Sequence, residues 1–347
     1  MRSILRVFTL ATIFAAALSG NVSAQQPQVS NAQVSSQIVD HGLQSALDSL
    51  KPSATPLWAG YIIPTSSTFN AGGDSRVSYL EPHSFSDETV VSKSTSEQGH
   101  AIILFRLAAG KIDRVHAEAV DRQLDAGGLR FVWLTNVTPE DSIATLKTLC
   151  LTSDSNRLVD SAVFLISIHQ SQAAVPALIA LIAPGDNLHL REQAAFWLAN
   201  HGGHEGFVAI QNLARTDKDD QFRAKLTFDL TQSKDPGALD EIIRMAHEDS
   251  SPRVRSQAQF WMASRGGKIV TASLRDSADN DPDASIRKKA VFALSRLPDG
   301  EATTQLVELA QTSKYPEVRK EAVFWLGQSN DPKALDFLTK LITSSNR

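Results

Sequence analysis

The stretch Glu317-Val318-Arg319-Lys320-Glu321-Ala322-Val323-Phe324-Trp325-Leu326-Gly327 decides the fold, because it recurs backward in steps of 32 residues. The alanine slot reads Ala162, Ala194, Leu226, Ala258, Ala290, Ala322. Two residues on, every unit has phenylalanine: Phe164, Phe196, Phe228, Phe260, Phe292, Phe324. Two further on come Ile166, Leu198, Leu230, Met262, Leu294 and Leu326, and four before the alanine stand Leu158, Leu190, Phe222, Val254, Ile286 and Val318. A second apolar series at spacings of three and six follows (Val175, Leu178, Leu181; Phe207, Ile210, Leu213; Leu239, Ile242, Met245; Thr303, Leu306, Leu309; Leu335, Leu338, Leu341), broken at Thr271 and Ser277 around Leu274. Those spacings draw one helical face. Gly202-Gly203, Asp235-Pro236-Gly237, Gly266-Gly267, Asp299-Gly300 and Asp331-Pro332 punctuate the two helices. Pro252 and Pro316 sit where a first helical turn tolerates the missing N–H.

A two-helix unit of 32 residues cannot bury its apolar faces alone, so neighbours must stack into a solenoid. The strings around Val318-Arg319 and Asp331-Pro332-Lys333-Ala334-Leu335 resemble the short bacterial HEAT repeats, a class also seen in phycobilin lyase-like proteins. The resemblance implies a mostly α fold: a right-handed α-solenoid of six HEAT-like helix pairs over 158–347, with a helix and turn at 138–157 before it. It does not by itself imply an activity.

Two columns run along the array. Tryptophan follows the phenylalanine in alternate units (Trp197, Trp261, Trp325), against Leu165, Asp229 and Ala293 in the others. Trp133 lies one more step of 64 back. The phenylalanines are expected to form an inter-repeat packing ladder, and the tryptophans to alternate large against small. Directly after the first apolar slot stand Arg191, Arg223, Arg255, Arg287 and Arg319. Each is expected to lock the stack by reaching a turn acid (Asp235, Asp299, Asp331) or a neighbouring carbonyl. The acids crowding the same turns would cancel a basic stripe.

Ahead of the array, Met1 to Arg6 is basic, Val7–Leu18 is apolar, and Val22-Ser23-Ala24 is a small-x-small site. This is the pattern of a secretory signal peptide at 1–24, cleaved after Ala24. A linker and short helix are expected over 25–52 and a small β-rich domain over 53–137, with strands at Trp58–Pro64, Ala101–Leu107, Lys111–His116 and Leu129–Leu134. This front part resembles that of exported bacterial HEAT-repeat proteins, which carry a Trp-x-Gly-Tyr strand and an Asp-Ala-Gly-Gly turn. Relatives often have a cysteine just before that turn; Arg122 and Gln123 stand there in this chain. The domain is expected to cap the array.

Composition narrows the function. Lys and Arg number 34 against 38 Asp and Glu, and losing Arg2 and Arg6 takes the formal charge from -4 to -6. That balance, without a basic stripe interleaved with aromatics, argues against nucleic acid. The single cysteine, Cys150, excludes a disulfide framework and any multi-cysteine metal site. No segment after the signal is long and apolar enough to span a membrane. No nucleophile elbow or phosphate loop is present, and no cofactor is expected. His169, His201 and His204 are the weak metal candidates, and would underlie a lyase-like or metal-dependent enzyme. The leading expectation is a non-enzymatic, exported scaffold, periplasmic or secreted. It would hold a protein or peptide partner along a concave face lined by the second helices, with Asp240, Arg244, Glu308, Lys333, Asp336 and Lys340 in contact.

Overall fold

The computed structural model describes residues 28–65, 77–82, 99–183, 185, 187–265, 267–298 and 300–345. The expected signal peptide lies outside them, as do Gly266 and Asp299 of the expected turns.

The amino-terminal region holds two sheets. Strands β2 (Gln33–Ile38), β8 (Arg130–Thr135), β3 (Leu57–Pro64), β5 (His100–Ala108) and β6 (Lys111–Ala119) form one in that order. Strands β1 (Val29–Ser30), β7 (Gln123–Asp125) and β4 (Val77–Tyr79) form the other, all parallel. The expected linker at the start of 25–52 is therefore corrected: Val29–Ser30 and Gln33–Ile38 are strands, with β2 a parallel edge beside β8. Its polar Gln/Ser pattern reads as linker because an edge strand exposed on most positions needs no apolar alternation. Helix α1 spans Leu43–Leu50, inside the expected 25–52.

Period-two alternation splits the large sheet between two cores. Ala59, Tyr61, Ile63, Ile103, Phe105, Val132 and Leu134 face the helices and join one continuous apolar core that runs to Ala334. Trp58, Ile102, Leu104, Phe131 and Trp133 face the other way, onto Leu80 and Leu124 of the small sheet. Trp133 therefore belongs to the β core, with the tilted ring of Phe131 at 4.9 Å, and does not continue the tryptophan column. Gly60 is needed where it stands, since a Cβ there would lie 2.8 Å from Leu104 and 3.0 Å from Phe131. Gly127, at φ +61°, turns the chain against Glu81.

The helices follow in pairs. After α2 (Pro139–Thr152), the first helices of the six units are α3 (Asn156–Ile168), α5 (Leu188–His201), α7 (Asp220–Gln232), α9 (Pro252–Ala263), α11 (Ala284–Ser295) and α13 (Pro316–Gly327). The second helices are α4 (Ala174–Leu181), α6 (Gly203–Thr216), α8 (Ala238–Glu248), α10 (Lys268–Asn280), α12 (Glu301–Thr312) and α14 (Pro332–Ser345). Thr138, Asn187, Asp219 and Asp283 cap helix N-termini through their side chains. First helices pack directly on one another along the array, whereas successive second helices touch sparsely. The small alanine slot permits the closer approach: Ala162, Ala194, Ala258, Ala290 and Ala322 are fully buried. A stack with unequally spaced layers curves toward the tighter one, so the first helices line the inner face.

The arginine column locks these units through the neighbouring carbonyls expected, but with acids other than Asp235 and Asp331. Arg223 makes a bidentate pair with Asp249 (2.9 and 2.8 Å) and donates from Nη1 to the Asp217 carbonyl at 2.7 Å. Arg255 repeats this on Asp281 and on the Asp249 carbonyl at 2.9 Å. Arg191 pairs with Asp217, Arg287 with Glu317, and Arg319 donates to the Ser313 carbonyl. Each acid stands 26 residues after its arginine, except that Ser313 breaks the column and Glu317 substitutes. Asp235 instead accepts from His204 and from the Gly237 N–H, and Asp331 accepts from the Lys333 N–H. Asp217, Asp249 and Asp281 thus bind one arginine by side chain and the next by carbonyl, a chain of charge-assisted bonds through the buried seam.

Asp281→Ala leaves the Arg255 guanidinium buried without its carboxylate, and should cost about 3 kcal/mol or more. Thermal melting and hydrogen exchange would show the loss concentrated in α9–α12; an unchanged melting temperature would refute the locking role.

Candidate functional site

On each first helix the core slots set an inward direction, and the phenylalanine, two residues past the alanine, points about 200° away from it. The rings therefore stand on the inner face. This corrects the expectation of buried ladder packing: Phe164, Phe196, Phe228 and Phe292 are half-buried, while Phe260 is 47% and Phe324 54% exposed. They still couple the units, because each tryptophan leans back on the ring before it. Phe164 meets Trp197 at 4.7 Å, Phe228 meets Trp261 at 4.7 Å, and Phe292 meets Trp325 at 5.0 Å. Each tryptophan also takes its own unit's phenylalanine edge-on: Phe196 on Trp197, Phe260 on Trp261, Phe324 on Trp325. Phe196 and Phe228 stack at 6.1 Å and 8° between planes. One stripe of touching rings runs from Phe164 to Phe260, and a second group holds Phe292, Trp325 and Phe324.

The alternation in the tryptophan slot has a chemical counterpart. Where α7 carries Asp229 in place of a ring, Lys225 pairs with it at 2.8 Å and lies 4.9 Å from the Phe228 centroid and 5.6 Å from that of Phe196. Asp229 Oδ2 is buried without a hydrogen-bond partner. Burial, opposed by Lys225, pushes the Asp229 carboxyl up to about 6.

The charged residues expected to contact a partner lie on second helices, the loosely spaced outer layer, so they do not form a concave groove. Two of the six are committed to the protein itself. Arg244 binds the fully buried Glu241 at 2.7 Å, and Glu308 binds Arg275 at 3.0 Å. Arg215 and Gln211 of α6 also bind Glu241, making it a bridge between second helices. Asp240, on α8, is exposed on that layer, and Lys333, Asp336 and Lys340 are exposed on α14.

The three histidines do not converge. His169 is buried after α3; its Nδ1–H donates to the Leu165 carbonyl at 2.7 Å, which leaves Nε2 to accept from Ser142 at 2.8 Å. Ser142 in turn accepts from the Tyr61 hydroxyl at 2.7 Å. The chain Tyr61–Ser142–His169 joins β3, α2 and the first unit, aided by the Gln170 N–H donating to the Pro64 carbonyl. Ser142 is wholly buried and serves as a strut, out of reach of a substrate. His201 shares a hydrogen bond with Ser167 at 3.0 Å, and the exposed His204 pairs with Asp235. His169 and His201 both line an open cavity of about 360 Å³ with Ser167 and Val175, but His169 has both nitrogens engaged. Among the described residues no group of three His, Cys, Asp or Glu could hold a metal ion. Cys150 is buried, and burial pushes its thiol up to about 12.

Residues 207–288 and 271–347 match the HEAT repeats family, so this part of the chain carries HEAT repeats. Among solved structures the chain is similar to YibA of Escherichia coli, with 22% identity over 58% of this chain and 77% of that one, and a TM-score of 0.37. It is similar to the complex of CpcE and CpcF of phycocyanin lyase from Nostoc sp. PCC7120, with 23% identity over 46% of this chain and 100% of that one (TM-score 0.33). It is also similar to human deoxyhypusine hydroxylase in complex with glycerol, with 18% identity over 58% and 77% and a TM-score of 0.26. No curated protein matches the chain. No described helix is long and apolar enough to cross a membrane. The architecture is a repeat scaffold, of the kind whose curved surface suits protein binding.

Burial pushes the His169 imidazole down to about 4, against the hydrogen bond to Leu165 and the field of Glu140, which favour protonation. The unfolded chain takes up that proton near 6.5, so the unfolded state binds more protons between the two values. Stability from this group is complete above about 6.5 and is lost toward pH 4, at up to about 1.4 kcal/mol per unit. Asp229 acts oppositely, since its raised carboxyl gains stability as pH falls through about 6. Comparing wild type with His169→Gln isolates the histidine: the wild-type advantage in urea midpoint should erode from pH 6.5 to 4, and an advantage constant with pH would refute the assignment. At pH 7.5, Asp229→Asn should gain roughly 1–3 kcal/mol by removing the cost of a buried charge; a loss in urea midpoint would show that the Lys225 pair outweighs burial.

Proposed function

We propose that this chain is an exported scaffold or adaptor that holds an extended segment of a partner protein along the aromatic inner face of its repeats. The observation that carries this reading is the stripe from Phe164 to Phe260, continued at Phe292, Trp325 and Phe324. Soluble proteins rarely leave a long contiguous apolar strip in water unless something binds it. Trp and Phe are also the side chains that supply most contact energy per residue at interfaces. An enzyme reading has less support, because His169 serves the fold and, among the described residues, no group of three His, Cys, Asp or Glu could hold a metal ion. Export rests on the basic, apolar and small-x-small pattern of residues 1–24.

Two measurements test the proposal. The mature protein recovered from the cell envelope or medium should begin at Gln25; a cytosolic chain that keeps Met1 would overturn export. Phe228→Ala with Trp261→Ala should abolish retention of a partner crosslinked in the envelope, while charge reversal at Lys333, Asp336 and Lys340 should leave it intact. The reverse pattern would move the binding face to the second helices.

A further inference from the structure

We infer that a small organic carboxylate binds in the cavity where the amino-terminal sheet meets the first repeat, with its charged head between Arg114 and Arg157. Its binding is independent of any partner held by the repeats. The cavity measures about 240 Å³ and lies between β6, the outermost strand of the large sheet, and the first turns of α3. Leu80, Arg114, Val115, Arg157, Leu158 and Ser161 line it. That volume is below the roughly 300–1,000 Å³ of sites for drug-sized ligands, so it suits a head group on a short body.

Charge around the cavity is unbalanced. Arg106 binds both nearby acids, Glu81 at 2.6 Å and Asp113 at 2.5 Å, and Glu81 also accepts from the Trp58 indole at 3.0 Å. Asp113 is the one carboxylate among the described residues of the wall, so the wall's acid is already engaged. His116, also in the wall, is held on Glu118 at 3.5 Å, and Glu118 is further bound by Ser78 and Arg122. Arg114 is half-buried, donates from Nη1 to the Leu80 carbonyl at 2.8 Å and lies 5.7 Å from the Trp58 centroid. Neither contact neutralises it. Of the described arginines that are not exposed, only Arg114 and Arg319 lack a carboxylate within 4.0 Å, and of these two only Arg114 lines this cavity. Arg157, on the first turn of α3, has no ion pair among the described residues, and that turn carries no acid.

A half-buried guanidinium without a counter-ion is costly, and an anion relieves that cost. The two oxygens of a carboxylate match the guanidinium fork, and Ser161, one helical turn past Arg157, adds a hydroxyl donor. The amino-terminal dipole of α3 acts in the same direction. The rest of the wall is apolar, from Leu80, Val115 and Leu158, none more than 8% exposed. A bare inorganic anion would sit against that wall without using it, and a neutral apolar molecule would leave both guanidiniums unmatched. A carboxylate on a short apolar body satisfies both halves of the cavity.

The test uses the full chain, with benzoate, benzamide and inorganic phosphate as probes. Calorimetry should show saturable benzoate binding with a dissociation constant of about 1 mM or tighter. The affinity should fall as added salt screens the guanidiniums. Benzamide keeps the ring without the charge and phosphate keeps the charge without the ring, and each should bind about tenfold more weakly or worse. Arg157→Gln removes a side chain with no ion pair in the fold, so the melting temperature should hold while benzoate affinity drops about tenfold or more. Arg114→Gln should lower the affinity as much, and also the melting temperature, since Arg114 serves the Leu80 carbonyl. Benzamide binding as tightly as benzoate, phosphate binding more tightly than benzoate, or wild-type affinity in Arg157→Gln would each overturn the assignment. So would an absence of benzoate binding up to about 10 mM.

Discussion

The array depends on one repeated interaction, seen in full at Arg223 and Arg255: an arginine at the edge of a first helix gripping an aspartate 26 residues ahead and a carbonyl six residues behind. Burying a guanidinium is costly, and only a partner set that satisfies most of its donors makes it tolerable. The geometry supplies that set only when consecutive units hold their mutual spacing. Hydrophobic burial drives the stacking, but it is tolerant of small slides. The arginine–aspartate chain is not, so it converts a greasy stack into one with a defined pitch. That pitch is what places Phe228 within reach of Trp261 and Phe164 within reach of Trp197.

Much of this was legible in the residues. The six phenylalanines, the alanine slot and the proline-marked turns were enough for the solenoid, because period 32 without insertion admits few alternatives. The partner of the arginine column was legible too, and was missed. Asp217, Asp249 and Asp281 recur at the same period, with Ser313 as the one exception, and a period-matched search among acids would have paired them with Arg191, Arg223 and Arg255. The signal is obscured because the same turns hold Asp219 and Asp283, which cap helices. The inner face was misassigned for a different reason. Which helix layer lies inside a curve depends on relative spacing, and spacing follows from side-chain size at every contact between layers. The fully buried alanines were the available clue.

The β region illustrates what pattern alone cannot reach. Strands β3, β5 and β8 are apolar on both sides because each face meets a core, and their length and composition mark them as buried. The edge strand β2 carries almost none of that signal, since its Gln/Ser face answers to water and its pairing is decided by backbone bonds to β8. Short strands such as β4 and β7 owe their existence to the sheet that receives them.

The junction between sheet and solenoid closes the physical account. The first unit has a neighbour on one side only, and its exposed flank must be sealed by something that is not a repeat. Sheet residues Tyr61, Ile63, Phe105 and Leu134 supply the apolar part of that seal. Apolar contact alone would let the sheet slide over α2 and α3. The donor order Tyr61 to Ser142 to His169 to the Leu165 carbonyl is directional, with each group's hydrogen-bonding role fixed by the next, so it accepts one alignment. Its strength depends on His169 staying neutral, a consequence of the same burial that makes the seal. A side chain that looked like a metal ligand by type is thereby explained as the pin that orients the cap. The aromatic stripe stands on the other layer, on the first helices, where no such pin is needed.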